Sequence, residues 1–322
     1  MKKTTKIWLL TAALLVLAGC ILFAGVMAPE TWDFGKLSTV RYETNIYPVS
    51  EPFHDLSLTT DTADIVLLPS TDGKIRVECR EEENAKHTVT VENDTLTVKV
   101  QNNKTWRDYI GFDIGTPKIT VYLPETAYGT LIVHENTGNV EISKDFAFES
   151  ADISVTTGNV RFLADTGDAK IKTSTGDIQV EDLSADSLDL SVTTGKITAS
   201  GVTCRGDVTL SVSTGKTVLS DVTCENLLST GTTGTITLER VLAANRFSIE
   251  RSTGDVKFTG CDAAELSVKT GTGDVTGTLL TEKVFLTDTG TGRVEVPRTA
   301  AGGKCQIKTG TGNIRIKIEE NR

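Results

Sequence analysis

Three charged residues would form a reactive cluster if folding brought them together: Asp255, Asp274 and Arg293. Each directly follows a Thr-Gly pair, and the three pairs are 19 residues apart. Acidic side chains on neighbouring turns of a β-helix can act as the acid and base of a polysaccharide-cleaving enzyme. Other copies carry asparagine, lysine or threonine at this position, which is typical of surface turns. We therefore expect no catalytic residue, and a carbohydrate-active β-helix enzyme is the least favoured alternative.

Metal and cofactor sites are not indicated by local motifs. Calcium-binding solenoids repeat aspartate at a fixed position, whereas here that position carries both charges. The Gly-Thr-Gly segments at 271–273, 290–292 and 310–312 lack the lysine and the following helix of a phosphate-binding loop. The six cysteines form no CxxC pair, which disfavours a zinc site. The histidines share no motif, so we expect no metal and no cofactor: His54, His87 and His134.

Aromatic residues are scarce, and the densest stretch outside the N-terminus contains Trp106, Tyr109 and Phe112. Two interpretations stay open for them. They form a patch that binds glycan or membrane, or they cover an open end of the array described below, where edge strands need protection. The net charge of −10 disfavours a nucleic-acid partner, because phosphate binding needs a clustered basic face.

The N-terminus predicts a membrane anchor. Residues 7–28 contain no charge over 22 positions, roughly 33 Å as a helix and enough to span a bilayer. The lysines within residues 1–6 place the N-terminus in the cytoplasm and the body outside a single-pass cell membrane protein. Residues 29–52, with three prolines, are expected to form a stalk. Leu17-Ala18-Gly19-Cys20 also matches a lipobox, so a lipoprotein anchored at Cys20 is the lesser alternative.

A Thr-Gly pair recurs ten times, at intervals of 18 to 20 residues. So regular a period indicates a stacked repeat, with glycine at a structural corner where other residues resist the backbone angle. We also expect the threonines to form a ladder of hydroxyl groups. The corner glycines are Gly138, Gly158, Gly176, Gly195, Gly215, Gly234, Gly254, Gly273, Gly292 and Gly312.

Apolar residues recur two and four positions after most of these glycines and five before the next, as in strands with one buried face. Val202, Val222 and Val241 predict a third apolar column. Cys204 and Cys224 fall in a column of small residues on adjacent turns. A disulfide bond between them remains an open alternative. Glu282 breaks that column, so we expect a bulge or register shift near residues 279–280. The pattern predicts an all-β fold, a parallel β-solenoid with turns of about 19 residues; right-handed winding is the default.

One turn cannot fold alone. Its six or so inward apolar side chains contribute roughly 9–18 kcal/mol, whereas ordering about 19 residues costs on the order of 19–38 kcal/mol in backbone entropy. The turns must therefore pair with each other. We expect residues 53–130 to form a first turn plus a β-rich insertion, residues 131–318 the regular solenoid, and residues 319–322 a tail.

The apolar N-terminal helix, the segment Thr62-Ala63-Asp64-Ile65 and the run of Thr-Gly-Asp/Asn corners resemble the DUF4097 family, a bacterial group known as putative adhesins. The segment Phe247–Phe258 is especially similar to its clostridial-type members. The resemblance covers roughly residues 32–318. It implies a β-helical cell-envelope protein and brings no established catalytic residues.

These observations favour a non-enzymatic, membrane-anchored surface protein that contacts other cells or envelope material. The alternative is an accessory of envelope-stress signalling that senses wall material or docks a membrane partner. The expected partners are the membrane, through the N-terminal helix, and a cell-wall glycan or a membrane protein.

Overall fold

The computed structural model describes residues 3–28, 40–104, 106 and 115–319. Within these residues the chain has one helix and 24 strands that join in a single sheet. The strands build a parallel β-solenoid of about 9 turns, which confirms the predicted fold class. Residues 29–39 of the expected stalk, Tyr109, Phe112 and the last three residues lie outside the described residues, whereas residues 42–49 of that expected stalk form a strand of the sheet.

The helix α1 spans Lys3–Met27, and its segment Thr5–Gly25 is long and apolar enough to cross a membrane, with none of it buried in the protein. Length and composition suit a membrane span or a signal sequence. The helix ends just before Pro29 in the sequence, as helices commonly end ahead of proline.

The strands alternate with short turns along the whole body. The N-terminal strands are β1 (Tyr42–Val49), β2 (Asp55–Thr60), β3 (Asp64–Pro69), β4 (Ile75–Glu82), β5 (Ala85–Glu92), β6 (Thr95–Asn102) and β7 (Lys118–Leu123). The regular strands are β8 (Ala127–Thr137), β9 (Val140–Ile142), β10 (Ala147–Thr157), β11 (Val160–Phe162), β12 (Asp165–Thr175), β13 (Ile178–Glu181), β14 (Ser184–Thr194), β15 (Ile197–Cys204), β16 (Asp207–Thr214), β17 (Thr217–Thr233), β18 (Ile236–Thr253), β19 (Val256–Thr272) and β20 (Val275–Leu279). The C-terminal strands are β21 (Lys283–Thr291), β22 (Val294–Glu295), β23 (Gly303–Thr311) and β24 (Ile314–Ile318).

Successive regular turns stack in parallel register, with the Thr-Gly corners aligned. Thr157 is paired with Thr137 on one side and Thr175 on the other. Side chains alternate along each strand, and the predicted apolar columns are buried on the inner face; Ile153 and Ile171 are fully buried. The Val202, Val222 and Val241 column is also stacked and buried.

The corner glycines have two separate reasons to be glycine. From Gly158 onward they adopt φ between +136° and +156°, which disfavours any side chain. A Cβ on Gly234 would lie 1.6 Å from the carbonyl oxygen of Gly215 in the preceding turn. Each corner therefore needs glycine both for its backbone angle and for the close approach of the next turn.

The small-residue column is confirmed. Cys204 and Cys224 are 3% exposed and stack with alanines, with Ala185 against Cys204 and Ala243 against Cys224. Both thiols are free. Small side chains continue at this position from Ala185 to Ala263, where the cysteines serve as small hydrophobic residues.

At the N-terminal end, the turns do not stack in chain order. The turn β2–β3 lies between β8–β9 on one side and β6–β7 on the other, in parallel with both. Strands β5, β4 and β1 then continue the sheet in antiparallel fashion, β5 on β6, β4 on β7 and β1 on β4. The insertion thus supplies both an additional turn and the antiparallel strands that cover it.

The C-terminal end shows a second exchange of order. Strand β23 pairs with β19 on one side and with β21 on the other, and β21 pairs only with β23 among the described residues. The last segment of the chain therefore lies between β19 and β21, although β21 precedes it in the sequence. The register shift expected near residues 279–280 is present where Cys261 meets Leu279. Gly302 and Gly303 allow the chain to enter β23 in this position. A Cβ on Gly302 would lie 1.8 Å from the carbonyl oxygen of Glu282, and a Cβ on Gly303 would lie 1.8 Å from that of Ala264.

Replacing a corner glycine tests the close approach of the turns. We expect Gly195→Val and Gly234→Val each to lower the free energy of unfolding by about 3–5 kcal/mol, because both backbone strain and overpacking result. Thermal or urea unfolding followed by circular dichroism measures the change.

The matched controls are Thr193→Val and Thr232→Val, which place the same side chain at exposed strand positions nearby. These should stay within about 0.5 kcal/mol of the parent. Unchanged unfolding of both glycine variants would contradict the corner argument.

Candidate functional site

At the corner position, each asparagine or aspartate named below belongs to one of two runs of hydrogen bonds along the solenoid, and Lys196, Lys216 and Thr235 separate the two runs. The side-chain oxygen of each asparagine or aspartate accepts from the backbone N–H of the equivalent residue in the next turn. The run at the N-terminal end comprises Asp64 to Asn139 at 2.8 Å, Asn139 to Asn159 at 3.0 Å, Asn159 to Asp177 at 2.8 Å and Asp177 to Lys196 at 2.8 Å. Asparagine and aspartate therefore recur here because they satisfy backbone donors at an otherwise exposed corner.

The three charged residues singled out by spacing belong to the second run. Asp255 Oδ1 accepts from the Asp274 N–H at 3.0 Å, and Asp274 Oδ1 accepts from the Asn313 N–H at 2.7 Å. Asn313 in turn accepts from the Arg293 N–H at 3.0 Å. The 19-residue spacing would place Arg293 on the turn next to Asp274, and this is wrong, because the C-terminal exchange places Asn313 between them. Both carboxylates have a structural role as acceptors.

The predicted threonine hydroxyl ladder is also corrected. The threonines before each glycine do stack, but the bonds at this corner run from the glycine N–H to the threonine carbonyl of the neighbouring turn, as from Gly138 to Thr157 at 3.0 Å. Hydroxyl bonds come instead from a different, inward-facing threonine column. Thr173 and Thr270 each donate to a corner glycine carbonyl, at 3.0 and 3.1 Å.

The remaining sequence candidates do not meet in one place. Trp106 is 69% exposed, while Tyr109 and Phe112 lie outside the described residues. His54 and His134 are exposed, and only His87 is buried. The aromatic patch thus stays a prediction.

A polar cluster that sequence reasoning missed interrupts the apolar core at Arg251. This residue points inward, where other turns carry valine or threonine, and it is 6% exposed. Its Nη2 donates to Ser229 Oγ at 2.9 Å and to Thr217 Oγ1 at 3.3 Å, and its Nη1 donates to the Glu250 carbonyl oxygen at 3.2 Å. The guanidinium is therefore held by neutral oxygens inside the wall of the solenoid.

The preceding turn makes room for this guanidinium. A Cβ on Gly231 would lie 2.6 Å from Arg251 Nη1. Ser229 and Thr217 both stand in columns that carry leucine, isoleucine or valine in neighbouring turns. Four residues that depart from the repeat, in three consecutive turns, meet at one point: Thr217, Ser229, Gly231 and Arg251. That coincidence is the sequence signal that could have revealed the cluster.

An open trough of about 470 Å³ lies over this cluster. Besides Arg251, its lining includes the exposed side chains of Lys269 and Lys308 and the bare backbone of Gly271. Lys308 Nζ also contacts Asp288 Oδ2 at 2.9 Å. We call this surface the Arg251 trough.

The lining of the Arg251 trough carries three cationic side chains and one carboxylate, that of Glu250, although the chain as a whole is acidic. Burial lowers the pKa of Arg251 to about 10, so the guanidinium remains protonated at neutral pH. Lys269 and Lys308 add exposed cationic groups at the rim. The arrangement suits an anionic group of a ligand, which would meet a fixed cation below and mobile cations beside it.

The sequence profile of the Toastrack DUF4097 family matches residues 53–212 and 205–322. The chain belongs to the DUF4097 family. This confirms the resemblance drawn from the Thr-Gly corners, and the match includes both the insertion and the exchanged C-terminal turns. No curated protein gives a significant match.

Two solved structures share the fold of this DUF4097 chain. A putative adhesin from Parabacteroides distasonis ATCC 8503 is 12% identical with a TM-score of 0.51, covering 87% of this chain and 98% of its own. A putative lipid binding protein from the same organism is 16% identical with a TM-score of 0.50, covering 73% and 96%. At these identities the likeness concerns the fold alone.

A buried carboxyl group gives this DUF4097 solenoid a pH dependence. Glu135 is 3% exposed; its Oε1 accepts from the Thr137 N–H at 2.9 Å, whereas Oε2 has no partner among the described residues. Burial, with a smaller effect of Asp61 and Asp64, raises the pKa of Glu135 from 4.5 to about 7.

Because the folded-state pKa is raised, the protonated group stabilises the fold fully below pH 4.5, and this contribution is lost as the pH rises through 7. Glu135→Gln should remove about 2–3 kcal/mol of pH-dependent destabilisation between pH 5 and 8. Urea unfolding at several pH values measures it. Glu141→Gln, at an exposed position of the same turn, is the control and should keep the parental slope. Equal slopes in the parent and the Glu135 variant would contradict this assignment.

Proposed function

We propose that this chain is a non-enzymatic, membrane-anchored envelope protein that holds its solenoid outside the cell and contacts anionic surface polymers. The exposed apolar face of α1 supports anchoring, because side chains such as Trp8 and Leu22, 74% and 72% exposed, would be unfavourable in water. The lysines before it support a cytoplasmic N-terminus. Anchoring through a lipid on Cys20 is the lesser alternative, and mass spectrometry of the mature N-terminus separates the two.

The observation that carries the contact role is the Arg251 trough. It joins a buried cation with two exposed lysines on a broad face, and a polymer lying across several turns can reach it without entering a deep cavity. The putative adhesin that shares this fold is consistent with such a role. Teichoic-acid phosphates and peptidoglycan carboxylates are the anionic groups that such a surface would meet in a cell wall.

Binding to wall material tests the trough. Full-length protein in detergent is incubated with purified cell walls, and the bound fraction is measured against wall concentration. We expect Lys269→Glu with Lys308→Glu to weaken binding by about tenfold or more, because two attractive charges become repulsive.

Lys170→Glu with Lys172→Glu makes the same change in net charge on exposed positions of β12 and should alter binding less than twofold. Equal loss in both double variants, or no wall binding by the parent, would refute the trough as the contact surface. Release of soluble sugar that disappears in Asp255→Ala with Asp274→Ala would refute the non-enzymatic assignment.

A second candidate role, docking of a membrane protein, is favoured by the C-terminal end. Strand β21 is paired on one side only within the described residues, and Val284, Leu286 and Val294 are 37%, 51% and 41% exposed there. An edge with free backbone groups and apolar side chains can accept an extended strand of a partner.

This role predicts that a specific protein co-purifies with the full chain from its own membranes. Val284→Asp with Leu286→Asp should abolish the co-purification, because charges oppose both the apolar contact and strand addition. Leu242→Asp, at an exposed leucine midway along the solenoid, should leave it unchanged. Retention of the partner by the edge variant would contradict docking at β21.

A further inference from the structure

Three potential metal ligands from separate repeat-breaking positions meet at the N-terminal end of the solenoid. They are Cys79 and Glu81 on β4 and His87 on β5, and one donor atom from each lies within 4.8 Å of the other two. Cys79 and Glu81 are fully buried, and His87 is 5% exposed. Thiolate, imidazole and carboxylate are the donors that Zn²⁺ takes in proteins.

The hairpin from β4 to β5 brings these donors together. Cys79 and Glu81 are two residues apart on one strand, so both side chains point to the same face. The chain then turns back after Glu82, which pairs with Ala85. This places His87 over Glu81. The backbone N–H of His87 donates to Glu81 Oε2 at 2.5 Å, and the imidazole Nδ1 of His87 lies 2.7 Å from the same oxygen.

Besides His87, the carboxylate of Glu81 is hydrogen-bonded to neutral side chains, and the ammonium group of Lys86 lies within electrostatic range of it. Its Oε1 accepts from Asn45 Nδ2 at 2.7 Å and from Tyr47 Oη at 3.0 Å. On the far side, His87 Nε2 lies 3.2 Å from Thr60 Oγ1. These contacts fix the orientation of two ligands from outside, as groups around a metal site commonly do. A buried carboxylate in such surroundings is an electrostatically favourable place for a divalent cation.

We propose that Cys79, Glu81 and His87 bind one Zn²⁺ ion, with a water molecule or the Tyr47 hydroxyl as the fourth ligand. Ligand distances of about 2.0–2.3 Å require the Glu81 and His87 donors to separate by roughly 1 Å, a movement within reach of side-chain rotation. The ion connects β4 to β5 at a point where the backbone ladder between these strands is limited to the pair Glu82 and Ala85. Its role is structural: it fastens the covering strands on the first turns of the solenoid, beside the strand through which the chain arrives from α1.

A groove of about 520 Å³ between β1 and β5 supplies the route for the ion. Tyr47 lines this groove and donates to Glu81 Oε1 at 3.0 Å, so the groove comes within one side chain of the donors. The six free cysteines give the experiment its internal controls, because the other buried thiols lack a histidine and a carboxylate within the same distance among the described residues.

Cobalt(II) is the probe, since a thiolate ligand gives it a sulfur-to-metal charge-transfer absorption and four-coordinate geometry gives intense visible bands. Full-length protein in detergent is freed of metal with a chelator, kept reduced and titrated with Co²⁺. We expect both absorptions to saturate at one ion per chain and to be displaced by Zn²⁺. Zinc should also raise the thermal unfolding midpoint by several degrees.

Cys79→Ser should remove the charge-transfer absorption, and His87→Gln should abolish or weaken binding, whereas Cys224→Ser should behave as the parent. If the Cys79 variant does not fold, X-ray absorption spectroscopy of the zinc-loaded parent decides, and the expected shell holds one sulfur with nitrogen and oxygen ligands. Absence of the sulfur signal in the parent, or its persistence in folded Cys79→Ser, would overturn the site and leave the cluster a hydrogen-bond network only. Either result is independent of whether the Arg251 trough binds wall polymers.

Discussion

The close approach of one turn to the next at the Thr-Gly corner is the constraint on which this structure depends. Parallel strands lie about 4.8 Å apart, and at the corner the backbones come closer than a Cβ atom permits. Glycine at the ten Thr-Gly corners keeps the regular turns in register, and that register stacks the inward side chains into apolar columns. Since a single turn cannot offset its own conformational entropy, the corners determine whether the chain folds.

A solenoid built this way has two open ends, and different arrangements of strands form them. At the N-terminal end, β6–β7 provides an additional parallel turn, and antiparallel strands extend the sheet beyond it. At the C-terminal end, the last turn inserts beneath its predecessor and leaves β21 at the edge with exposed apolar side chains. The edge strand β1 at the N-terminal end exposes Ile46, whereas Val284, Leu286 and Val294 are exposed together at the C-terminal end, which is therefore the better candidate for docking a partner strand.

The most informative residues are those that break the repeat in its core. Arg251 needs Gly231, Ser229 and Thr217 around it, and Glu135 retains a carboxyl oxygen without a partner in the described structure. Such groups are unfavourable inside a wall of valine and isoleucine unless their surroundings compensate. Because the rest of the solenoid is so regular, each polar residue at an inward position marks a place where apolar packing alone does not explain the choice of residue.

The sequence by itself determined the fold class, the turn length, the apolar columns, the corner glycines and the family, and it placed one apolar helix at the N-terminus. These are periodic or local features, and a period of about 19 residues in a chain this long has few other physical solutions. The order of the turns was different. Every turn presents the same backbone edge to its neighbours, so spacing alone could not reveal that Asn313 would separate Asp274 from Arg293. Nor could it reveal that Arg251 would meet Ser229 and Thr217, or that His87 would fold back over Cys79 and Glu81. Those contacts depend on stacking and on one hairpin, which bring together side chains that no local motif connects, and only the tertiary structure decided them.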